Sequence, residues 1–224
     1  MSQQAYIPSL TFRRLTPLYD TVLGRLFPEA EIKRQVVARI AAPEQSVLDL
    51  GCGTGTLVIM LRQAQPSGFI AGIDIDDEML VRAKNKAEGA GTVVAIMQGN
   101  AIMLPLADNN FDTAVSSLVL HHLKGGQKVA AMRDVYRVLR PGGRFYIADF
   151  GPPNTVGTRL VSRLTRRLEE AGDNIAGFIP HFMAEAGFQH INEWGSVATI
   201  MGTVVLLEGT KPGSTEGREV PQRK

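Results

Sequence analysis

The sequence predicts an α/β fold, with a doubly wound and mostly parallel sheet, helices on both faces and a helical lid. Three observations lead to this prediction. Short apolar segments alternate with amphipathic ones, the first apolar segment ends in a glycine-rich turn, and the alternation stops after Asp149. Strands separated by helices pair in parallel through right-handed crossovers.

Five strands are predicted in the alternating region from their short apolar runs, at residues 46–50, 69–74, 92–97, 111–116 and 144–149. Helices are predicted between them. One follows the glycine-rich turn over residues 54–63, and Asp76 is placed to cap the next one. The helix before the fifth strand ends at Pro141-Gly142-Gly143, a stop signal followed by a turn.

The segments on either side of this region are predicted to differ. A helix over residues 29–42 precedes the first strand. Two helices follow the fifth strand, at residues 155–171 and 174–186. Two more strands are predicted at 190–200 and 203–208, and the tight Met201-Gly202 turn makes them antiparallel.

Length and composition narrow the class of protein. The chain has 224 residues, so we predict one domain over 1–210, with helical lids at 1–43 and 151–187 and a flexible tail at 211–224. The net charge is +2 and no long basic run occurs, which disfavours a nucleic-acid partner. Without a secretory signal or an apolar run long enough to span a membrane, a cytoplasmic protein with no integral membrane segment is expected.

The glycine-rich turn is the strongest functional signal. It reads Val-Leu-Asp-Leu-Gly-Cys-Gly-Thr-Gly over residues 47–55. Glycine permits a positive φ and a close approach of the backbone to a ligand, and the helix start offers free N–H groups. A dinucleotide fingerprint would have its third glycine one residue later, where Thr56 stands, and Asp49 would repel a pyrophosphate. A ligand with a cationic amino group is favoured, and an NAD(P)-dependent oxidoreductase is the alternative.

Two further polar residues follow the next strands. Asp74 ends the second strand, where a carboxylate can accept both hydroxyls of a ribose. Asn100 follows the third strand, where its amide can reach an adenine. Taken singly, Asp49 could be a helix cap, Asn100 a turn residue and Cys52 a space-filling residue. Their order, and their place at the carboxyl ends of parallel strands, favour a ligand site.

The motif at 47–55 resembles the first motif of class I S-adenosylmethionine-dependent methyltransferases, and the resemblance extends over residues 47–150. It implies a Rossmann-like methyltransferase fold with seven strands, the last inserted antiparallel, and S-adenosylmethionine as cofactor with S-adenosylhomocysteine as product. It also implies which residues line the cofactor. The methionine end would lie against Asp49, Gly51, Cys52, Gly53 and Gly55, the ribose against Asp74, the adenine against Ile75, Met79, Asn100 and Ala101, and the sulfonium side against Ser117 and Leu118.

Within that family the chain is similar to the ubiquinone/menaquinone biosynthesis C-methyltransferases and their small-molecule relatives. Tyr19-Asp20 and the segment 148–152 resemble motifs of that group, and the similarity implies a contact between Tyr19 and the cofactor carboxylate. The chain departs from the group after the fourth strand. It has Leu118-Val119-Leu120-His121-His122 where the quinone enzymes carry Phe-Gly-Leu-Arg-Asn.

Methyl transfer is an in-line displacement at a sulfonium, so a base is needed only when the acceptor carries a proton. His121 and His122 follow the fourth strand and Asp149 ends the fifth, its neighbour in this topology. We predict that His121 with Asp149 acts as general base, with His122 as second choice. A purely structural role for the pair is the alternative. No metal site is predicted, because four histidines and one cysteine offer no ligand pattern.

Apolar residues in the two lids favour a small, apolar or aromatic acceptor, although the same residues could be ordinary core. They are Leu15, Tyr19, Leu23, Phe27, Phe178, Ile179, Phe182 and Met183. The segment 159–168 carries four arginines around a stripe of Leu160, Leu164 and Leu168, which suits a lid or a solvated face. A protein that binds S-adenosylmethionine without turnover remains the other alternative, and the sequence leaves a homodimer open.

Overall fold

The computed structural model describes residues 27–40, 44–165 and 171–213, and the strands in these ranges form one seven-stranded sheet. The strands are β1 (Ser46–Leu50), β2 (Phe69–Asp74), β3 (Ala95–Gln98), β4 (Phe111–Ser117), β5 (Leu139–Gly151), β6 (Gln189–Thr199) and β7 (Gly202–Thr210). Their order is β3-β2-β1-β4-β5-β7-β6, and β7 alone runs antiparallel to both of its neighbours. The predicted doubly wound α/β fold and the inserted last strand are confirmed.

The helices in the described ranges connect and cover these strands. They are α1 (Glu29–Ile40), α2 (Thr56–Ala64), α3 (Asp77–Gly89), α4 (Gly125–Val138), α5 (Val156–Thr165), α6 (Gly172–Ile175) and α7 (Ile179–Glu185), with a 3₁₀ turn at Leu120–His122. Asp76 caps α3 as predicted, because its Oδ1 accepts from the N–H groups of Glu78 at 2.9 Å and Met79 at 3.3 Å. None of these helices is long and apolar enough to cross a membrane.

Two apolar clusters lie on opposite faces of the sheet, because successive strand residues point to opposite sides. Leu48 belongs to the cluster under α4 and α7, whereas Val47 belongs to the cluster under α1, α2 and α3. Ile147 and Tyr146 alternate in the same way on β5. Burial on both faces makes the sheet rigid, and its carboxyl edge carries the loops in which the predicted site residues lie.

The third strand starts later than predicted. It begins at Ala95 rather than at residue 92, because the N–H of Thr92 donates to Ala87 O at 2.9 Å and prolongs the turn that ends α3. A backbone group engaged in a helix-terminal turn is not available to a neighbouring strand.

The fifth strand starts earlier than predicted and runs through Pro141-Gly142-Gly143. Leu139 pairs with Phe111 of β4. Lys211, predicted to open the tail, continues the ladder on the other side: its carbonyl accepts from the N–H of Gly142 at 2.9 Å and its N–H donates to Gly143 O at 2.8 Å. Its ammonium group bonds three oxygens around the end of α4, those of Asn109 Oδ1, Tyr136 O and Leu139 O, at 2.9, 2.9 and 2.6 Å. Lys211 is therefore part of the folded domain, and residues 214–224 of the predicted tail lie outside the described residues.

Helix α5 turns its polar side inward. Thr158 and Ser162 are buried, whereas Val156 and Leu160 are 83% and 71% exposed. At the start of the helix the N–H of Thr155 donates to Thr158 Oγ1 and the N–H of Thr158 donates to Thr155 Oγ1, so the buried hydroxyl of Thr158 has a hydrogen-bond partner. Leu160 therefore faces away from the sheet.

The apolar residues predicted to line the lid divide into two groups. Ile179 and Met183 are buried in the core cluster under α7, so they belong to the core rather than to a pocket wall. Phe182 is half-buried and Phe178 is 48% exposed. Leu15, Tyr19, Leu23 and Leu168 lie outside the described residues, as do most of the lid predicted at 1–43 and residues 166–170 of the lid predicted at 151–187.

Candidate active site

The glycine-rich loop after β1 is bent so that glycine is needed at Gly51 and Gly53. Both have positive φ, 71° and 52°. A methyl group on Gly51 would lie 2.4 Å from Cγ2 of Val119, whereas one on Gly53 would meet no protein atom within 4 Å. The glycine-rich loop is thus packed at Gly51 against Val119, in the loop that follows β4. At Gly53 no described protein atom fills the space beside its backbone. Gly55, the third glycine, is the N-cap of α2.

Asp74 ties the end of β2 to this loop. Its Oδ2 accepts from the N–H of Gly53 at 2.8 Å, and its Oδ1 accepts from the N–H of Asp76 at 3.0 Å. Each carboxylate oxygen has further lone pairs, so the half-buried group keeps acceptor capacity toward a diol. Its position beside the open backbone of Gly53 fits the predicted ribose contact.

Asp49 lies at the base of the loop and is almost completely buried. Burial raises the pKa of Asp49 to about 7; Lys33 opposes this increase and the like charge of Asp74 adds to it. Lys33 belongs to α1 and is itself only 9% exposed. Sequence reasoning missed Lys33, because nothing local distinguishes it from the adjacent Arg34.

Cys52 packs inward from the same loop. A methyl group on Gly72 would lie 2.9 Å from its Sγ, so the thiol fills the space left by a glycine of β2. Burial and the carboxylates of Asp49 and Asp74 raise the pKa of the Cys52 thiol. A buried and protonated thiol agrees with the interpretation of Cys52 as a space-filling residue.

The residues predicted to surround adenine lie in two linked loops. The N–H of Gly99 donates to Asp74 O at 2.9 Å, which joins the end of β3 to the end of β2. Asn100 is a turn residue, because its Oδ1 accepts from the N–H of Ile102 at 3.1 Å. Across from it, Ile75 is 38% exposed, while Met79 and Ala101 are half-buried. Each of these apolar side chains is at least partly accessible, as a contact with a purine would require.

Asp149 is the most heavily bonded side chain at the carboxyl edge. It is fully buried and accepts five hydrogen bonds from described residues. The donors are the N–H groups of Val119 (3.1 Å), Leu120 (2.8 Å) and Phe150 (2.7 Å), His121 Nδ1 (2.8 Å) and Asn174 Nδ2 (3.2 Å). Burial alone would raise the pKa of Asp149, but His121 and the backbone donors hold it below its ordinary value. The group is an ionised carboxylate at neutral pH.

The loop held by Asp149 adopts an uncommon conformation. Leu118 has φ +59°, in the left-handed region that a leucine rarely adopts. Ser116 and Ser117, which end β4, have buried hydroxyl oxygens that no described residue hydrogen-bonds. The Oδ1 of Asn174, whose Nδ2 bonds Asp149, is also buried and has no partner in the part of the chain that the structure describes. Strained backbone and unsatisfied polar atoms of this kind concentrate where ligands bind.

The two histidines differ in their surroundings. His121 is 5% exposed and packs edge-on against Phe150, with ring centroids 4.9 Å apart. His122 is exposed, with its ring centroid 4.0 Å from that of His121. Although part of the residue is exposed, its ring is partly shielded from water beside His121, and this desolvation together with the charge of His121 lowers the pKa of His122 to about 4. Only His121 contacts the carboxylate, so the expected convergence with Asp149 concerns this histidine.

The described part of the chain holds no cluster of candidate metal ligands. Among residues 27–40, 44–165 and 171–213, no three His, Cys, Asp or Glu side chains come together in a group that could hold an ion.

Similarity to known proteins agrees with this site. The family model described as a methyltransferase domain matches residues 47–143, from the glycine-rich loop to the start of β5. A demethylmenaquinone methyltransferase of Thermus thermophilus is 32% identical over 156 residues, which cover 68% of this chain and 70% of that protein. The ubiquinone/menaquinone biosynthesis C-methyltransferase of Klebsiella pneumoniae is 40% identical over 191 residues, covering 75% of this chain and 74% of that protein. This chain belongs to the S-adenosylmethionine-dependent methyltransferases of the quinone-methyltransferase type.

Solved structures share the fold of this methyltransferase. A possible histamine N-methyltransferase from Thermotoga maritima superposes with a TM-score of 0.64 at 18% identity, over 87% of this chain and 94% of that one. A magnesium protoporphyrin IX methyltransferase from Synechocystis with bound SAH gives 0.63 at 21% identity, over 88% and 89%. The family assignment also removes the oxidoreductase alternative, although the methyltransferase departs from the quinone group's motif over residues 118–122.

Proposed function

We propose that this methyltransferase moves the methyl group of S-adenosylmethionine to a ring carbon of a small, apolar, hydroxylated aromatic acceptor of the hydroquinone kind. The buried His121–Asp149 pair carries the proposal, since it joins a proton acceptor to the loop that packs on Gly51. The names of the two relatives support an acceptor of the quinone class and, for the Klebsiella protein, a carbon target.

The residues present fit the cofactor. Asp49 would bind its ammonium group, Asp74 its ribose hydroxyls, and the apolar side chains of Ile75, Met79 and Ala101 its adenine. The hydroxyl of Ser117, which has no partner among the described residues, lies next to Leu118 and suits the methionine and sulfonium side. When bound, S-adenosylmethionine supplies an electrophilic methyl group on a sulfonium, whose departure leaves the neutral thioether of S-adenosylhomocysteine.

His121 would take the proton released by the acceptor. A hydroquinone attacks through its ring carbon most readily once its hydroxyl has lost a proton, and the C–C bond would form as the bond between sulfur and the methyl group breaks. The methylated carbon would then lose its hydrogen as a proton, which restores the aromatic ring and the second hydroxyl. Because Nδ1 of His121 faces Asp149, Nε2 is the ring atom that would receive this proton. The ionised Asp149 stabilises the imidazolium that results and fixes the ring orientation.

The test of this base is His121→Asn. We expect kcat to fall by about 100-fold or more while the Kd for S-adenosylmethionine changes by less than about threefold, since general-base catalysis contributes on this scale. Turnover is measured as transfer of labelled methyl to a chemically reduced, prenylated 1,4-naphthoquinone across pH 5–9.

The matched control is His122→Asn, which removes the exposed neighbour and should leave kcat within about threefold, as expected for a residue outside the reacting groups. A His121→Asn protein that turns over normally, or that keeps the wild-type pH profile, would show that the pair is structural only.

The pH dependence of cofactor binding tests Asp49. With its pKa raised to about 7, Asp49 is mostly protonated at pH 6, and only its ionised form attracts an ammonium group. Lys33 and Asp74 are the charged groups that act on it. We expect S-adenosylmethionine to bind close to tenfold more weakly at pH 6 than at pH 7.5, with a proton released on binding. In the free protein, the pKa of Asp49 is higher in the folded state than in the unfolded chain. The resulting contribution to the free energy of unfolding is fully present below about pH 4 and is lost as the pH rises toward 7.

Calorimetry in two buffers of different ionisation enthalpy counts the released proton. Asp49→Asn should bind the cofactor weakly and with no pH dependence between these values. Proton release that persists in Asp49→Asn would assign the titration to another group.

A further inference from the structure

Asn174 is a fully buried residue that uses only part of its hydrogen-bonding capacity. Its Nδ2 donates to Oδ1 of Asp149 at 3.2 Å, whereas its own Oδ1 is buried and has no hydrogen-bond partner among the described residues. A buried amide oxygen without a donor is costly, and native proteins rarely keep one unless a water molecule or a ligand completes it. The side-chain oxygen of Asn174 therefore needs a donor that the described part of the chain does not supply.

The orientation of this amide is fixed by Asp149. An ionised carboxylate can only accept hydrogen bonds, so Asn174 must turn Nδ2 toward Asp149 and Oδ1 away from it. Helix α6, which carries Asn174, packs against β5 and against the 3₁₀ turn at Leu120–His122, and this packing holds the amide at the carboxyl edge of the sheet. The free side of the amide is thus an acceptor, and its missing partner must be a hydroxyl or an N–H group.

Asn174 and His121 converge on the same atom of Asp149. Nδ1 of His121 lies 2.8 Å from Oδ1 of Asp149, the oxygen that also accepts from Nδ2 of Asn174. The proposed base and the amide are therefore neighbours around one carboxylate oxygen. An acceptor molecule that presents a hydroxyl to the histidine would have its ring close to the amide oxygen.

We propose that Asn174 is a substrate-binding residue, whose Oδ1 accepts a hydrogen bond from the second hydroxyl of a dihydroxylated aromatic acceptor. The inference rests on the proposed function and adds the group that selects this acceptor. In a reduced 2-prenyl-1,4-naphthoquinone, the hydroxyl beside the reacting ring carbon would give its proton to His121. The other hydroxyl, beside the prenyl chain, would keep its proton and donate a hydrogen bond to Asn174.

A simpler role for Asn174 would be to hold Asp149 in place, with no contact to the acceptor. The two roles differ toward a 3-prenyl-1-naphthol with the same prenyl chain, which keeps the hydroxyl beside the reacting carbon and lacks the other one. We would measure kcat/KM for both compounds, as labelled methyl transferred to the ring carbon. The intrinsic difference in reactivity between the two compounds is the same for every variant, so it cancels when their preferences are compared.

The proteins compared are the wild type, Asn174→Leu and, as the matched control, Asp173→Asn. Asp173 stands next to Asn174 on α6, and its side chain is 46% exposed. Thermal melts check that each variant is folded, and calorimetry checks that the Kd for S-adenosylmethionine stays within about threefold of the wild-type value. Should Asn174→Leu fail to fold, Asn174→Ala takes its place.

The wild type should prefer the hydroquinone to the naphthol by about 10–100-fold in kcat/KM, because the naphthol leaves a buried acceptor without its donor. Asn174→Leu should reduce this preference by about tenfold or more, since both compounds then meet the same apolar side chain. Asp173→Asn should keep the preference within about twofold of the wild type, as expected for a partly exposed neighbour.

Three results overturn the inference: no preference in the wild type, an undiminished preference in Asn174→Leu, or an equal loss of kcat/KM for both compounds in that variant. In each of these cases the wild type still methylates the hydroquinone on carbon, so the proposed function stands. If the wild type methylates neither compound, the proposed function fails first and the role of Asn174 fails with it.

Discussion

Replacing Asp149 with alanine is expected to lower the free energy of unfolding by about 3–5 kcal/mol, the range for breaking a buried charged network. Five donors converge on this carboxylate, and its removal leaves the N–H groups of Val119, Leu120 and Phe150 and the side chains of His121 and Asn174 without their acceptor. Urea unfolding followed by circular dichroism measures the change.

The matched control is Asp108→Ala. Asp108 is also an ion-paired aspartate, but its side chain is 66% exposed in its contact with Arg137. Its loss should cost less than about 1 kcal/mol, as exposed pairs do. If Asp149→Ala were as stable as the control, the five contacts would not act as a network.

Replacing Asp74 with alanine is expected to weaken S-adenosylmethionine binding by about 100-fold or more, because two charge-assisted bonds to the ribose diol are lost. The variant also frees the N–H of Gly53, so the loop loses the anchor that holds it beside β2. Since Asp74 is half-buried, unfolding stability should change much less than affinity. Calorimetric titration with S-adenosylmethionine provides the measurement.

Asp77→Ala is the control, because Asp77 stands in the first turn of α3 on the exposed side. Its effect on the Kd should stay within about threefold, the scale of a surface substitution. A similarly small effect of Asp74→Ala would remove the ribose assignment and with it the main support for the adenosine site.

The sequence could predict elements whose signal is local. β1 and β2 have the predicted bounds because their apolar runs end at a glycine or an aspartate. The proximity of His121 and Asp149 follows from topology, since loops after neighbouring parallel strands meet at one edge. The start of β5 could not be predicted, because a Pro-Gly-Gly sequence normally ends a ladder and here Lys211 extends it.

The contributions of helices to the site were harder to predict than those of strands. Asn174 reaches Asp149 from the four-residue helix α6, and the charge of Lys33 on α1 acts on the pKa of Asp49 at the base of the loop. In both cases the position depends on how a helix docks on the sheet, which hydrophobic periodicity does not determine to a single residue. The inward side of α5 was not predictable either, because Thr158 and Ser162 are buried there while Leu160 of the leucine stripe is 71% exposed.

The position of Lys211 bears on where this domain can be shortened. A helix accumulates partial negative charge at its last carbonyls, and a cation placed there compensates it. For α4 that cation comes from beyond the final strand, 72 residues after Leu139. A protein cut after Thr210 would keep every strand, yet the end of α4 would lose the ammonium group of Lys211 and keep only Arg137 as the basic residue of its last turn, and Gly142 and Gly143 of β5 would lose their backbone partner. The C-terminal boundary of the folding unit therefore lies after Lys211, although the sheet ends before it.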